Sequence, residues 1–129
     1  MDASALVKRY VAEPGSDTVR ETMNAADGWF MCRVGYVETV RAVGLAAGEP
    51  ATQHLREEWP AFGIIEVDQR LVEDAAAIAI EHELRSLDAL HLAAALVLPG
   101  EELALATWDR RLHAAAGSAG LSLVPPSLA

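Results

Sequence analysis

The stretch LALATWD, residues 103–109, places a short apolar run directly before an acidic side chain. The run predicts a buried strand over Leu103–Thr107, and the residues behind it predict a helix over Asp109–Ala116 that Gly117 ends. Where the strands of a sheet run parallel, ligands bind beyond their carboxyl ends. Asp109 therefore lies where such a sheet would carry functional groups.

Short apolar runs and helical patterns alternate along the rest of the chain. Strands are also predicted at Trp29–Cys32, Ile64–Val67 and Leu121–Val124, with a stub at Met1–Ala3. Helices are predicted at Ser4–Ala12, Asp17–Ala26, Gly35–Ala47, Thr52–Trp59, Arg70–Glu83 and Leu87–Leu98. We expect Ser16, Asp68 and Ser86 to cap three of these helices. Strands separated by helices predict an α/β fold with a parallel sheet and helices on both faces.

Length and composition narrow the class of protein. A chain of 129 residues suffices for one domain over residues 1–129, and its 52% of apolar residues argues against disorder. The longest apolar run, near His91 to Leu98, is far shorter than the roughly 20 residues of a membrane span. The N-terminus carries no secretory signal pattern, and the single Cys32 allows no internal disulfide. We therefore expect a protein of the cytoplasm.

Four acidic side chains are expected to meet at one edge of the sheet. Asp2 follows the first stub, and Asp109 follows a strand. Asp88 lies in the first turn of its helix, and Glu38 lies one turn into the helix behind the second strand. Taken singly, an aspartate at a helix start favours capping, because it accepts hydrogen bonds from free backbone N–H groups.

Convergence of the four acids would point to a bound cation. Two bare carboxylates about 4 Å apart repel by roughly 4 kcal/mol at an effective dielectric near 20. A ligand set made of oxygen atoms favours a hard ion such as Mg²⁺ or Mn²⁺. Because no pattern of a His or Cys nucleophile accompanies the acids, this chemistry indicates metal-assisted hydrolysis of a phosphodiester.

The formal net charge of −9 is unusual for a protein that binds nucleic acid, because basic side chains supply much of that affinity. Seven of the ten lysines and arginines nevertheless lie within seven positions of one of the four acids. They form either ordinary solvated helix faces or a basic rim around an acidic pocket. The seven are Lys8, Arg9, Arg33, Arg41, Arg85, Arg110 and Arg111.

Four segments in order resemble the motifs of PIN-domain ribonucleases, and the overall pattern resembles the VapC-like toxins of bacterial toxin–antitoxin pairs. DASALVK at residues 2–8 is similar to the family's opening motif, and VET at 37–39 to its helix-borne glutamate. LDALHLA at 87–93 and TWD at 107–109 are similar to its third and fourth motifs. No single motif is specific, but the four occur in the family's order across nearly the whole chain.

The resemblance implies a fold, a reaction and partners. The fold would be a three-layer α/β/α sandwich around a parallel sheet. Mg²⁺ or Mn²⁺ would bind at the catalytic acids, and a metal-activated water would cut RNA internally without a covalent intermediate. A VapB-like antitoxin would block the site, commonly with a basic side chain, and homodimers are common in the family. The resemblance thus implies that the catalytic and metal-binding residues are Asp2, Glu38, Asp88 and Asp109. It implies that Ser4, Thr107 and Arg110 lie on the substrate side, where Ser4 and Thr107 would also be polar supports.

One departure from the family concerns the first strand. Family members have several apolar residues before the first aspartate, whereas only Met1 precedes Asp2 here, so the central strand is expected to be shortened. This departure leaves open a second hypothesis, a non-catalytic PIN-like module whose acidic pocket only binds a partner. Two other Mg²⁺-dependent classes fit poorly. A receiver domain needs a lysine after a late strand, and the only lysine is Lys8; a haloacid-dehalogenase-like phosphatase needs an aspartate where Ser4 stands.

Five further side chains have alternative interpretations. His91 lies one helical turn after Asp88, and we expect a hydrogen-bonded histidine beside the site, with metal ligation as the alternative. Trp108 is expected to pack in the core, with stacking on a base as the alternative. Trp59 and Phe62 belong either to the core or to a contact patch for a partner. Cys32 is expected in the core of a strand.

Overall fold

The computed structural model describes residues 1–100 and 102–128, and the strands within them form two parallel pairs. The strands are β1 (Phe30–Cys32), β2 (Gly63–Ile65), β3 (Ala104–Ala106) and β4 (Ser122–Val124). β1 pairs with β2, and β3 pairs with β4. The parallel direction confirms the prediction from strand and helix alternation. Each strand spans three residues and is shorter than predicted. The prediction counted apolar neighbours such as Trp29 and Leu103, which lie outside the paired strands.

The helices of the described residues lie close to their predicted places, except that the last helix continues through Gly117, which was wrongly predicted to end it. They are α1 (Ala3–Tyr10), α2 (Ser16–Ala25), α3 (Gly35–Ala47), α4 (Glu49–Glu58), α5 (Gln69–His82), α6 (Ser86–Val97) and α7 (Arg110–Ser118), and a 3₁₀ turn follows α4 at Trp59–Ala61. Asp68 caps α5 as predicted, since its Oδ1 accepts from the Leu71 N–H at 2.9 Å. None of these helices has both the length and the hydropathy needed to cross a lipid bilayer.

Two predicted caps are wrong. Ser16 is the first residue of α2, preceded by Gly15 at φ 95°, and its hydroxyl donates to the Val11 carbonyl at 3.0 Å. Ser86 is likewise the first residue of α6, and Arg85 occupies the cap position without a side-chain cap bond. α4 begins three residues earlier than predicted, because Pro50 fits the first turn of a helix.

Side chains of β1 alternate between two apolar cores, one on each face of the strands. Met31 packs with Leu6 and Leu55 from the N-terminal helices, whereas Cys32 packs with Leu92 and the other buried residues of α5, α6 and α7. This alternation follows from the two-residue period of a strand. The strands therefore lie between two helical layers, which is the sandwich that the family resemblance implied.

The aromatic residues belong mainly to the first of these cores. Phe62 is buried, and Trp59 stacks on it with ring centroids 5.2 Å apart. Trp108 packs against the same core, and the Lys8 ammonium lies 5.1 Å from the centroid of its ring. Core packing, the interpretation preferred for Trp108, is thus confirmed.

The first two residues of the chain bridge the two strand pairs. The Met1 amino group donates to the Phe30 carbonyl on β1 at 3.1 Å, and the Asp2 N–H donates to the Ala106 carbonyl on β3 at 3.2 Å. Donation by consecutive residues to opposite sides is the pattern of a strand inserted between two neighbours. A cleft of about 690 Å³ continues from Met1 between β1 and β3. Met1 and Asp2 thus lie in line with an open space between the two strand pairs.

Filling this cleft is expected to stabilise the fold. Four apolar, β-branched residues added before Met1 would pair with both β1 and β3 and fill the space between them. Burial stabilises by about 2 kcal/mol per side chain, against about 1.5 kcal/mol for ordering each residue, so we expect a gain of about 2 kcal/mol or more. Urea denaturation measures it. A Gly-Ser extension of equal length is the matched control, and equal stability of the two extended proteins would contradict the prediction.

Candidate active site

Asp2 lies at the start of α1 and accepts three hydrogen bonds. Its Oδ1 accepts from the Ala5 N–H at 3.2 Å and from the Ser4 hydroxyl at 2.7 Å. Its Oδ2 accepts from the Thr107 hydroxyl, which lies behind β3, at 2.8 Å. The side chain is buried, so these donors replace the water that a carboxylate would otherwise need. Asp2 therefore caps α1 and also bonds to the residue that follows β3.

Ser4 and Thr107 join the end of β3 to the start of α1. The Thr107 hydroxyl accepts from the Asp109 N–H at 3.1 Å, and the Ser4 hydroxyl accepts from the Trp108 N–H at 2.8 Å. Both hydroxyls therefore donate to Asp2 while they accept from the loop that carries Asp109. This arrangement agrees with the predicted role of the two residues as polar supports.

Asp109 and Asp88 are bridged by one guanidinium. Asp109 caps α7, where its Oδ1 accepts from the Leu112 N–H at 2.9 Å. Its Oδ2 accepts from Nη2 of Arg85 at 3.2 Å, and Nε of the same arginine donates to Oδ2 of Asp88 at 3.2 Å. Two acids that are 21 positions apart in sequence thus share one positive charge.

The electrostatics couple these acids further. Burial raises the pKa of Asp88, and the negative charges of Asp109 and Asp2 raise it too, while Arg85 opposes them. The charges of Asp88, Asp109 and Glu38 all raise the pKa of Arg85. The charges of Asp2 and Asp109 thus act on Asp88, whereas Glu38 acts on Arg85.

Glu38 enters the region from the first turn of α3. Its Oε1 lies 2.7 Å from Nε2 of His91, which is buried one turn after Asp88 on α6. The expectation of a hydrogen-bonded histidine beside the site is confirmed. Arg110, predicted on the substrate side, is exposed as the first residue of α7, next to Asp109.

The site suits a cation, although the acids do not form a compact ligand cluster. Within residues 1–100 and 102–128, no group of three or more His, Cys, Asp or Glu side chains is close enough to hold a metal ion. Instead, Arg85 lies between Asp88 and Asp109, where it supplies the positive charge that two neighbouring carboxylates require. Because the side chain of Arg85 is 74% exposed, leaving this position would cost it little burial. A set of carboxylate oxygens that already binds a cation is a fitting site for Mg²⁺ or Mn²⁺.

Sequence reasoning missed the bridging role of Arg85, which it counted only among the basic residues near the acids. Its spacing of three from Asp88 on a helix start was the available signal. Three other members of that basic group pair with glutamates elsewhere: Lys8 with Glu13, Arg9 with Glu58 and Arg33 with Glu66. The hypothesis of a continuous basic rim is thus weakened for these three residues.

Comparisons with known proteins assign the chain to a family. A model of the PIN domain matches residues 1–118. Ribonuclease VapC45 of Mycobacterium tuberculosis (strain CDC 1551 / Oshkosh) is 33% identical over 136 residues, covering 98% of this chain and 94% of the relative. Ribonuclease VapC46 of Mycobacterium tuberculosis (strain ATCC 25618 / H37Rv) is 34% identical over 127 residues, covering 98% and 96%. The chain therefore belongs to the PIN-domain family.

Proposed function

We propose that this chain is a Mg²⁺- or Mn²⁺-dependent endoribonuclease, acting in the cytoplasm as the toxin of a VapBC-like pair. The main support is that Arg85 bridges Asp88 and Asp109, while the Thr107 hydroxyl joins the loop that carries Asp109 to Asp2. The relatives named ribonuclease VapC, which match along nearly the full chain, support the same reaction class. We assign the activity to a single domain over residues 1–129.

The catalytic acids have distinct tasks in this proposal. Asp2, Asp88 and Asp109 would hold the ion, and Glu38 would contribute a carboxylate oxygen from the α3 side. When bound, Mg²⁺ or Mn²⁺ would lower the pKa of a water molecule and stabilise negative charge on a phosphoryl oxygen. The hydroxyls of Ser4 and Thr107 fix the orientation of Asp2 before any ion binds. Such preorganisation avoids the cost of ordering the ligand during the reaction.

Arg85 and Arg110 are the proposed contacts to RNA. A guanidinium forms paired, charge-assisted hydrogen bonds with phosphate, as it does with carboxylate. Arg85 would turn from Asp88 and Asp109 to the substrate backbone once an ion neutralises these acids. Arg110 is exposed beside the same acids and would contact the neighbouring phosphate.

An antitoxin and a second copy of this chain are the proposed protein partners. A VapB-like antitoxin would insert a basic side chain between the carboxylates, where the position of Arg85 supports the fit of a guanidinium. We also propose a homodimer, the assembly common among the family's toxins. Copurification with the product of the neighbouring small reading frame would test the antitoxin. Sedimentation analysis of this chain alone would test the dimer.

Metal removal tests the reaction. We expect purified protein to cut a labelled single-stranded RNA with Mg²⁺ or Mn²⁺, to lose cleavage on addition of EDTA, and to regain it when Mn²⁺ is restored in excess. Equal cleavage with and without chelator would contradict a metal-dependent mechanism. Tight Mn²⁺ binding by calorimetry, without cleavage of any RNA in a diverse pool, would instead favour the non-catalytic binding module.

A further inference from the structure

His91 and Glu38 form a contact that the proposed reaction does not by itself explain. The two residues are 53 positions apart, and Nε2 of His91 lies 2.7 Å from Oε1 of Glu38. The histidine side chain is 1% exposed, whereas that of the glutamate is 24% exposed. A rigid, buried ring therefore contacts a more accessible and more flexible carboxylate.

The direction of this hydrogen bond follows from the donors available. An ionised carboxylate only accepts, so the proton lies on Nε2 of the histidine. Nδ1 of the same ring is buried, and the described residues provide it no hydrogen-bond partner. A ring protonated at both nitrogens would leave the buried Nδ1–H without an acceptor. This costs more than leaving the unprotonated Nδ1 of a neutral ring without a donor. The contact is thus best described as Nε2–H donating to Oε1.

We propose that His91 is a positioning residue that holds Glu38 toward the acidic site, a role that rests on the proposed function. One carboxylate oxygen of Glu38 is held by the histidine, and the second oxygen remains for an ion or for its water. Glutamate has several rotatable bonds and loses much conformational entropy when it is ordered. Without His91, the carboxylate would sample solvent-facing rotamers, and the site would lose a ligand in its working orientation.

The test compares two replacements of similar size. In His91→Gln, the side-chain amide nitrogen lies near the former Nε2 and still donates to Glu38, whereas His91→Leu fills the space without donating. We expect His91→Leu to weaken Mn²⁺ binding in calorimetry by about tenfold or more and to slow RNA cleavage similarly. His91→Gln should retain most of both. Equal Mn²⁺ affinity of wild type and His91→Leu would overturn the proposal.

A second histidine provides the matched control. Nε2 of His113 on α7 contacts the Pro125 carbonyl at 2.8 Å, away from Glu38. His113→Leu should alter the melting temperature but leave Mn²⁺ affinity unchanged. A similar loss of Mn²⁺ affinity in His113→Leu would show a general loss of structure and overturn a specific role for His91.

A double-mutant cycle separates this proposal from the proposed function. If His91 acts through Glu38, His91→Leu should change Mn²⁺ affinity little in a Glu38→Ala background, in which the side chain offers no acceptor. Unfolding measured without metal should show a coupling of about fivefold or more in the equilibrium constant between the two substitutions. Additive effects would overturn the proposal. This metal-free coupling decides the contact even if the wild type neither binds Mn²⁺ nor cuts RNA, an outcome that would refute the proposed function alone.

Discussion

Replacing Asp88 by asparagine is expected to lower RNA cleavage by on the order of 100-fold or more, because groups that merely orient metal ligands already contribute 10- to 100-fold. Asparagine has the same shape but lacks the negative charge that Mg²⁺ or Mn²⁺ needs. Single-turnover cleavage of a labelled RNA measures the effect. Asp74→Asn on the exposed side of α5 is the matched control, and it should cleave like the wild type.

The same substitution should have the opposite effect on metal-free stability. Burial and the charges of Asp109 and Asp2 raise the pKa of Asp88, so the folded state disfavours its ionised form. Asparagine removes this repulsion, and we expect Asp88→Asn without metal to be as stable as the wild type or more so. Saturating Mn²⁺ should stabilise the wild type by about 2.7 kcal/mol at 100 times its dissociation constant, and the variant far less. If Asp88→Asn cleaved RNA at the rate of the wild type, the assignment of Asp88 to the site would be refuted.

The sequence predicted that Asp2 and Asp109 lie at the same edge of the sheet, because this placement depends on topology. Asp109 follows a strand and Asp2 begins a helix, and parallel strands bring such positions to one edge. Capping of a helix and a place in the candidate site are compatible roles for one aspartate. Oδ1 of Asp109 caps α7 while its Oδ2 faces Arg85, because a carboxylate has two oxygens that accept independently.

Contacts across the fold were beyond the reach of the sequence pattern. The bond from Arg85 to Asp109 spans 24 positions, and its formation depends on how α6 and α7 pack together. The cleft beside Met1 depends on the spacing of two strand pairs, which no local pattern specifies. Periodicity and motifs therefore predicted the elements that carry the candidate site residues, while the partner of each carboxylate required the packed structure.

A large loss of stability is expected when Leu92 is shortened to alanine. This side chain is fully buried on α6, in the core that also contains Cys32, Leu105 and Leu112. Leu92→Ala leaves a cavity among these elements, and we expect the free energy of unfolding to fall by about 3 kcal/mol, within the usual range of 2–5 kcal/mol. Denaturant unfolding would show a lower midpoint at an unchanged slope.

Leu96, one turn later on the same helix, is the matched control for this prediction. Its exposed fraction is 44%, so Leu96→Ala should change the free energy of unfolding by no more than about 0.5 kcal/mol. Equal losses in the two variants would contradict the assignment of Leu92 to the core.

Stability and cleavage should separate in these variants. Leu92→Ala should cut RNA at temperatures where circular dichroism shows it folded, whereas Asp88→Asn should be folded and inactive. Both residues lie on α6, four positions apart, so a shared effect on helix formation cannot produce both results. If folded Leu92→Ala were inactive as well, core packing beneath α6 would itself set the orientation of Asp88 and His91, because both side chains project from this helix.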